Sequence, residues 1–432
     1  MSTLGVSGGR VLRPDGSVTR ADVLADRESG RILAVEEGVA DGADERLDAS
    51  GGIVIPGLVN AHSHVAMTLL RGYSDDKPLD RWLREDVWPV EGELGPEDVR
   101  AGTELGIAEM VRAGVTGVVD MYFHVDEVAA AVEAAGLRAR LGYGVVTVGK
   151  DDECVESELE RTREVAAEYD GAADGRIRTA VMPHSLTTVD AESLDRCVAA
   201  ARDLDVPLHF HANETTDEVD PVVEERGIRP LEYADDLGML TETDFLAHGV
   251  HVDDREIEVL ADRGTAVVHC PASNMKLASG AAPVPAMREA GVRLGLGTDG
   301  AASNNDLDPF DELRDAATLA KHAAGDAAAL PAEPAVAMAT AGSADAAGLP
   351  GGRIAEGEAA DLAVVDLEAP HTTPVHDPVS HLAYAVRGSD VRHTVCDGRI
   401  LMRDRELRTL DEERVVERAR RRAGEVAERA GE

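Results

Sequence analysis

Ile53-Val54-Ile55-Pro56-Gly57-Leu58-Val59 runs straight into Asn60-Ala61-His62-Ser63-His64, and the rest of the chain is arranged around that junction. A run of branched apolar residues bounded by glycines reads as a buried strand, here over 53–64. Side chains alternate across a strand, so His62 and His64 point to the same side. Two imidazoles on one face, at a strand's end, can grip one metal ion between them. A lone His-x-His pair arises often by chance, so the weight falls on what the other residues supply.

The middle of the chain alternates strand and helix. Strands are expected at 53–64, 115–123, 139–146, 177–184, 206–211, 244–252, 266–270 and 292–298, with helical spacing between them, as at 96–113, 191–204 and 254–263. Eight such units in roughly 300 residues are what a TIM-like (β/α)8 barrel requires. An open doubly wound sheet is the α/β competitor, but no Gly-x-Gly-x-x-Gly follows the first strand. Residues 1 to about 50 read instead as short strands with tight turns at 13–17 and 28–31, a texture that returns at 360–366 and 394–400. Two strand-rich ends around a different middle point to a small β-sandwich built from both termini. The expected domains are a composite β-sandwich of residues 1–56 and 351–410, a barrel over 57–350, and a terminal helix over 411–432.

In such barrels the active site is assembled at the C-terminal ends of the strands. Those ends carry His62 and His64 on the first strand, Tyr143 on the third and His184 on the fourth. The fifth carries His209 and His211, followed by Glu214; the sixth His248 and His251; the seventh His269; the eighth Thr298-Asp299. Seven of the eight ends hold a titratable side chain, a concentration that 14 scattered histidines would not produce by chance. His62, His64, His211 and Asp299 make a three-nitrogen, one-oxygen set that suits one zinc or iron(II) and leaves a position for water. A divalent ion lowers the pKa of bound water from 15.7 to about 7. Asp299 can accept that water's proton, His248 can hold and orient it, and Glu214 is placed to shuttle a proton.

Each of these residues also has an ordinary alternative. His209 beside Phe210 can be a packed residue or a support for a ligand, and His251 and His269 can be structural. Asp299 can be a turn residue in Thr298-Asp299-Gly300, and Glu214 a helix-opening acid. His124, His322, His371, His376, His381 and His393 read as surface or loop residues.

The chain has 432 residues, 83 acidic against 43 basic, and a formal net charge of −40. Only four of the basic residues are lysines (Lys77, Lys150, Lys276, Lys321). Such acidity repels nucleic acid and anionic membranes, so neither is expected as a partner. Apolar residues make up 44% and no long single-sign block occurs, which argues for a folded chain. The balance suits high salt, where mobile ions screen self-repulsion within a few ångströms. Four scattered cysteines provide neither a disulfide framework nor a zinc ribbon. With no signal-peptide pattern at the start and no apolar stretch of membrane-spanning length, a cytoplasmic location is expected.

The residues also carry a resemblance. Residues 60–72 (Asn60-Ala61-His62-Ser63-His64 through Arg71-Gly72), Trp88-Pro89-Val90-Glu91, His211-Ala212-Asn213-Glu214-Thr215, Ala247-His248-Gly249-Val250-His251, the stretch from His269 to Leu277 and that from Gly297 to Asn305 resemble the amidohydrolase superfamily. They are most similar to its methylthioadenosine/S-adenosylhomocysteine and 5′-deoxyadenosine deaminases. The resemblance implies a (β/α)8 barrel with one divalent metal per subunit, zinc before iron, on His62, His64, His211 and Asp299. It implies hydrolytic deamination of a nucleoside at adenine C6, with Glu214 protonating ring N1 and Asp299 carrying a water proton to the departing ammonia. It also implies that Glu91 binds ribose hydroxyls, that His184 touches the nucleoside, and that the chain forms a homo-oligomer, tetramer or dimer. A carboxylate suits vicinal hydroxyls because it accepts two hydrogen bonds at once.

One departure bears on the substrate. Members acting on S-adenosylhomocysteine place an arginine near the end of the third strand, where this chain has Tyr143. A tyrosine hydroxyl cannot replace a bidentate ion pair, unless Arg138 or Arg140 supplies the charge. The expected order is therefore 5′-deoxyadenosine, then methylthioadenosine and adenosine, with S-adenosylhomocysteine weaker. Binuclear cyclic-amide hydrolases need a lysine on the fourth strand, and residues 177–184 have none. Guanine, cytosine and triazine hydrolases with one metal are the alternatives, and Trp88-Pro89-Val90-Glu91 favours a nucleoside over a free base.

Overall fold

Gly57 divides the opening apolar run between two sheets. In the computed structural model, which describes residues 2–431, the run over 53–64 is two strands, Gly52–Pro56 and Leu58–Ser63. The chain passes so close to its neighbour here that a Cβ on Gly57 would lie 2.2 Å from Thr116 Oγ1. Gly52–Pro56 sits inside a seven-stranded sheet, antiparallel to Leu362–Asp366 and parallel to Arg10–Leu12. Its residues alternate between two cores. Val54, with Leu362 and Val364, packs against Leu4, Val23 and Ile32 of a four-stranded sheet, closing a β-sandwich. Ile53 and Ile55, with Ala363 and Val365, face the other way into the core shared with the barrel. A strand buried on both faces has no polar side, which is why the sequence shows one unbroken apolar run.

Leu58–Ser63 starts the barrel. Val115–Tyr122 and Arg138–Val145 follow, all parallel, and the fourth strand comes in two pieces, Ile177–Thr179 and Met182–Pro183. The second half is a parallel sheet of His209–Ala212, Phe245–His248, Ala266–His269 and Leu294–Leu296. Bridges Val181–Leu208 and Ser185–His211 join the halves on one side. On the other, the Asp299 N–H donates to the His62 carbonyl at 3.1 Å, and Gly297 lies flush against the His62 backbone, where a Cβ would be 2.8 Å from its nitrogen.

Several strands are shorter than periodicity suggests. The fifth begins at His209 and not 206, since Pro207 has no N–H to give a ladder. The sixth and eighth stop early because His248 (φ 76°) and Asp299 (φ 59°) turn into the left-handed region. Helices Ala191–Leu204 and Asp254–Arg263 match the expected spans and start on Asp190 and Asp253, whose carboxylates accept N–H bonds of the first turn. The terminal helix Glu412–Ala430 packs on Pro96–Arg112, where buried Asp98 binds Arg422 at 2.6 Å and Arg429 at 2.5 Å. Among the described residues no helix is long and apolar enough to cross a membrane.

Candidate metal centre

A slip in strand pairing aims the histidines. Asn60 pairs with Val118, but Ser63, three residues on, pairs with Asp120, only two on. Val59 and Ala61 belong to the inner apolar cluster with Met121, Met182 and Phe245. The extra residue then lets His62 and His64 face the same interior, a service that bulges perform beside active sites. There His62, His64, His211 and Asp299 bring one ligand atom each within 4.8 Å of one another. His64 Nε2 is 3.2 Å from His211 Nε2 and 3.3 Å from Asp299 Oδ1, while His62 Nε2 is 3.5 Å from the same oxygen. Donors about 2.1 Å from a tetrahedral zinc lie about 3.4 Å from each other. The residues therefore fit such a cation. His62 Nε2 is buried without a hydrogen-bond partner, a lone pair left for an ion.

The far side of each ligand fixes which atom faces inward. His64 Nδ1 is 2.7 Å from the Met121 carbonyl, and His211 Nδ1 is 2.7 Å from the His184 carbonyl. A carbonyl only accepts, so both rings donate there through Nδ1 and turn Nε2 to the centre, where it ligates a cation once it carries no proton. His62 uses a relay. His209 donates through Nδ1 to the Phe245 carbonyl at 3.1 Å, so its Nε2 accepts from His62 Nδ1 at 2.8 Å. Asp299 Oδ2 accepts from the Ser273 and Ser303 hydroxyls at 2.7 and 2.8 Å, leaving Oδ1 directed at the histidines.

Burial and charge reinforce this wiring. Burial pushes His62 down to about 4 and His211 and His209 well below the usual imidazole range, so these rings are neutral. Burial also opposes charge on His64, but its bond to Asp299 outweighs that and lifts it to about 9. The same bonds hold the Asp299 carboxylate well below its ordinary value, against the effect of burial. The carboxylate thus calls for one positive charge beside it. A cation binding there competes with the His64 proton, so binding is proton-linked.

Around this centre the other expected residues fall into place or out of it. Glu214 is buried, its Oε2 3.6 Å from His248 Nε2 and its Oε1 accepting from Ser279 Oγ at 3.3 Å. Burial raises its pKa, which favours an acid that can lend a proton. Its carboxylate faces the histidines, not the first turn of helix Thr216–Arg226, which Thr215 begins. His248 donates through Nδ1 to Asn274 Oδ1 at 2.9 Å. Asp299 is both the turn residue and the inward carboxylate. His184 has its ring 4.5 Å from that of His211 and its Nδ1 2.9 Å from Thr188 Oγ1. Glu91 ends the short helix Trp88–Glu91, half-buried beside Tyr122, and burial raises its pKa. Tyr143 packs edge-on against Phe123, ring centres 5.8 Å apart.

Other expectations need correction. Arg138 is turned to the β-sandwich, 2.6 Å from Asp361 and 2.7 Å from Asp397. Arg140 bonds the carbonyls of Thr179, Ala347 and Gly348 at the base of the barrel. Neither supplies a charge at the centre, because both sit at the start of the third strand. His393 is not a surface residue: it is buried in strand Val391–Cys396, bonded to the Asp48 carbonyl at 3.1 Å. His251 Nε2 lies 2.7 Å from the Ser279 carbonyl. His269 is buried with no partner for Nδ1. Ser273, Asn274 and Ser303 stand in the motif stretches around His269 and Asp299, and Ser279 lies two residues beyond the first of them; only their contacts reveal their roles.

Known proteins match this arrangement across the chain. Residues 53–401 match the amidohydrolase family model. A 5-methylthioadenosine/S-adenosylhomocysteine deaminase of Halobacterium salinarum is 64% identical over 430 residues, covering 100% of this chain and 99% of that protein. A 5′-deoxyadenosine deaminase of Methanothermobacter thermautotrophicus is 45% identical over 95% of this chain and 96% of its own. Among solved structures, an adenosine deaminase from Xanthomonas campestris with bound zinc superposes with a TM-score of 0.92 at 38% identity, covering 99% of both chains.

Proposed function

The chain belongs to the amidohydrolase family, and from that premise we propose that it hydrolyses the 6-amino group from 5′-substituted adenosines, releasing ammonia and the inosine analogue. The observation that carries this reading is the convergence of His62, His64, His211 and Asp299 within 4.8 Å, beside a buried Glu214–His248 pair. A divalent cation held by those four residues, zinc by preference, supplies Lewis-acid polarisation and acidifies water in the site. Glu214, its proton retained by burial, protonates ring N1 so that C6 becomes open to attack. Asp299 receives one proton of the attacking water and delivers it to the amino group, which leaves as ammonia. The second water proton restores what Glu214 lent, so atoms balance. His248, oriented by Asn274, steadies the incoming water. Glu91 accepts the ribose hydroxyls, and His184 contacts the nucleoside.

We extend this to the 5′ group. Tyr143 brings no charge to the end of the third strand, and Arg138 and Arg140 bind elsewhere. A small uncharged substituent is thereby favoured: 5′-deoxyadenosine first, methylthioadenosine and adenosine next, S-adenosylhomocysteine behind. An ultraviolet assay of adenine-to-hypoxanthine conversion across this series, in high salt, tests both levels. No conversion of any member by metal-loaded protein overturns the deaminase reading. A higher kcat/KM on S-adenosylhomocysteine than on 5′-deoxyadenosine overturns only the 5′ preference.

A further inference from the structure

A cavity of about 750 Å³ opens at the N-terminal end of the barrel, opposite the metal centre. Four arginines line it: Arg140 and Arg178 on the third and fourth strands, Arg202 near the end of a helix, and Arg293 just before the eighth strand. In a chain with 83 acids for 43 bases, arginines are expected to face carboxylates. Two do so. Arg202 grips buried Asp244 at 3.0 and 2.6 Å, and Arg178 lies 3.5 Å from Asp170. Arg140 and Arg293 form no ion pair among the described residues. Arg140, only 7% exposed, gives one N–H each to the carbonyls of Thr179, Ala347 and Gly348. Arg293 bonds the carbonyls of Gly264 and Glu242 through Nε and Nη2, which leaves its Nη1 unused. A guanidinium carries more N–H groups than either arginine has committed. Burial, opposed by nearby Asp170 and aided by Arg178, pulls Arg140 down to about 10.

We propose that this cavity binds a phosphate group, free or as a small monoester, seated on Arg140 and Arg293 with Arg178 at the lip. A planar guanidinium matches two oxygens of an oxyanion at once and has no such fit to a spherical halide. In molar salt the attraction of charge at a distance is screened within about 3 Å, so recognition rests on these direct bonds. The volume falls in the range of about 300–1,000 Å³ typical of small-molecule sites, and leaves room for an organic portion. The carboxylates of Asp205 and Glu242 on the same walls can accept hydroxyl hydrogens from a sugar.

The test is thermal unfolding of the full chain in molar KCl, titrated with inorganic phosphate or ribose 5-phosphate, with KCl lowered to keep ionic strength constant. A saturable rise in Tm is expected, weakened at least about tenfold in apparent Kd by Arg293→Gln. Saturation by both ligands identifies the phosphate group itself, and saturation by the ester alone identifies a monoester; either supports the site. Arg178→Gln, on the exposed lip, serves as a second variant should Arg293→Gln not fold, with a smaller weakening expected. Deamination kinetics should be unchanged in both. Absence of a saturable response, an unaltered response in the variants, or phosphate binding that competes with the nucleoside would overturn the proposal.

Discussion

The two ends of the barrel treat buried charge in opposite ways. At the C-terminal rim the outward nitrogens of His62, His64 and His211 are all bonded, and Asp299 Oδ2 has two hydroxyl partners. Every remaining lone pair points to one place. At the base Arg140 and Arg293 bind only backbone carbonyls and keep donors in reserve. Both ends are unbalanced, but only the rim focuses its imbalance on a point. A site for one small cation needs that focus, whereas an anion-binding wall can be broad. The rim therefore should be sensitive to the loss of any one member, and the base tolerant of it.

The sharpest way to break this contrast is at the ligands. Asp299→Asn or His211→Ala is expected to lose the bound metal and to lower kcat/KM by at least roughly 10³-fold, measured by elemental analysis and deamination rate. Arg293→Gln should leave both unchanged. Equal losses at rim and base would mean that the barrel responds as a whole and the contrast has no chemical content. Glu214→Gln separates holding the cation from moving protons. Metal content should stay at one per chain while kcat falls by about 10²–10⁴-fold; a variant that also loses metal would make Glu214 part of the cage.

A smaller effect is expected one bond further out. Ser273→Ala and Ser303→Ala each remove one hydroxyl from Asp299 Oδ2, so the carboxylate can swing. Supporting groups of this kind contribute about 10–100-fold in metal affinity, readable by competition with a chelator, while the base is again silent.

Much of this was legible in the residues, and what was not has a physical cause. Eight strand–helix periods and histidines at strand ends announce both the barrel and its rim, because inward alternation and C-terminal placement leave marks in sequence. The break at Gly57 leaves none, since strands buried on both faces read alike in either sheet. The pairing slip between Asn60 and Ser63 is also silent: it is a relation to Val118 and Asp120, not a pattern within residues 60–63. The hydroxyls of Ser273 and Ser303 come from a short helix after the seventh strand and a turn after the eighth, with no period to link them. Arg138 and Arg140 were candidates for the site only until strand geometry is applied. They lie three to five residues before Tyr143, and at about 3.3 Å per residue that is about 10–16 Å back towards the base.

The subtlest difference between the ends is in titration. Glu218 stands behind Glu214, its Oε2 accepting the Glu214 N–H at 2.8 Å and its Oε1 buried without a partner. Burial lifts its pKa to about 8, whereas Arg140, the buried charge at the base, stays protonated up to about 10. Between neutrality and pH 8.5, then, the rim loses a proton and the base does not. The folded state holds the Glu218 proton over a range where the unfolded chain, with an ordinary carboxyl near 4.3, has released it. More protons bound when folded means that stability falls as pH rises, and the fall is complete once pH passes the folded value. From pH 7 to 8.5 this amounts to about 1 kcal/mol, or roughly 1–3 °C in Tm for a chain of this size. Glu218→Gln, which keeps an acceptor for the Glu214 N–H and cannot ionise, should flatten that slope and melt higher than the parent at pH 8.5. Parallel Tm curves for the two proteins would show that Glu218 is already ionised at neutral pH, and that the rim tolerates an uncompensated charge as readily as the base does.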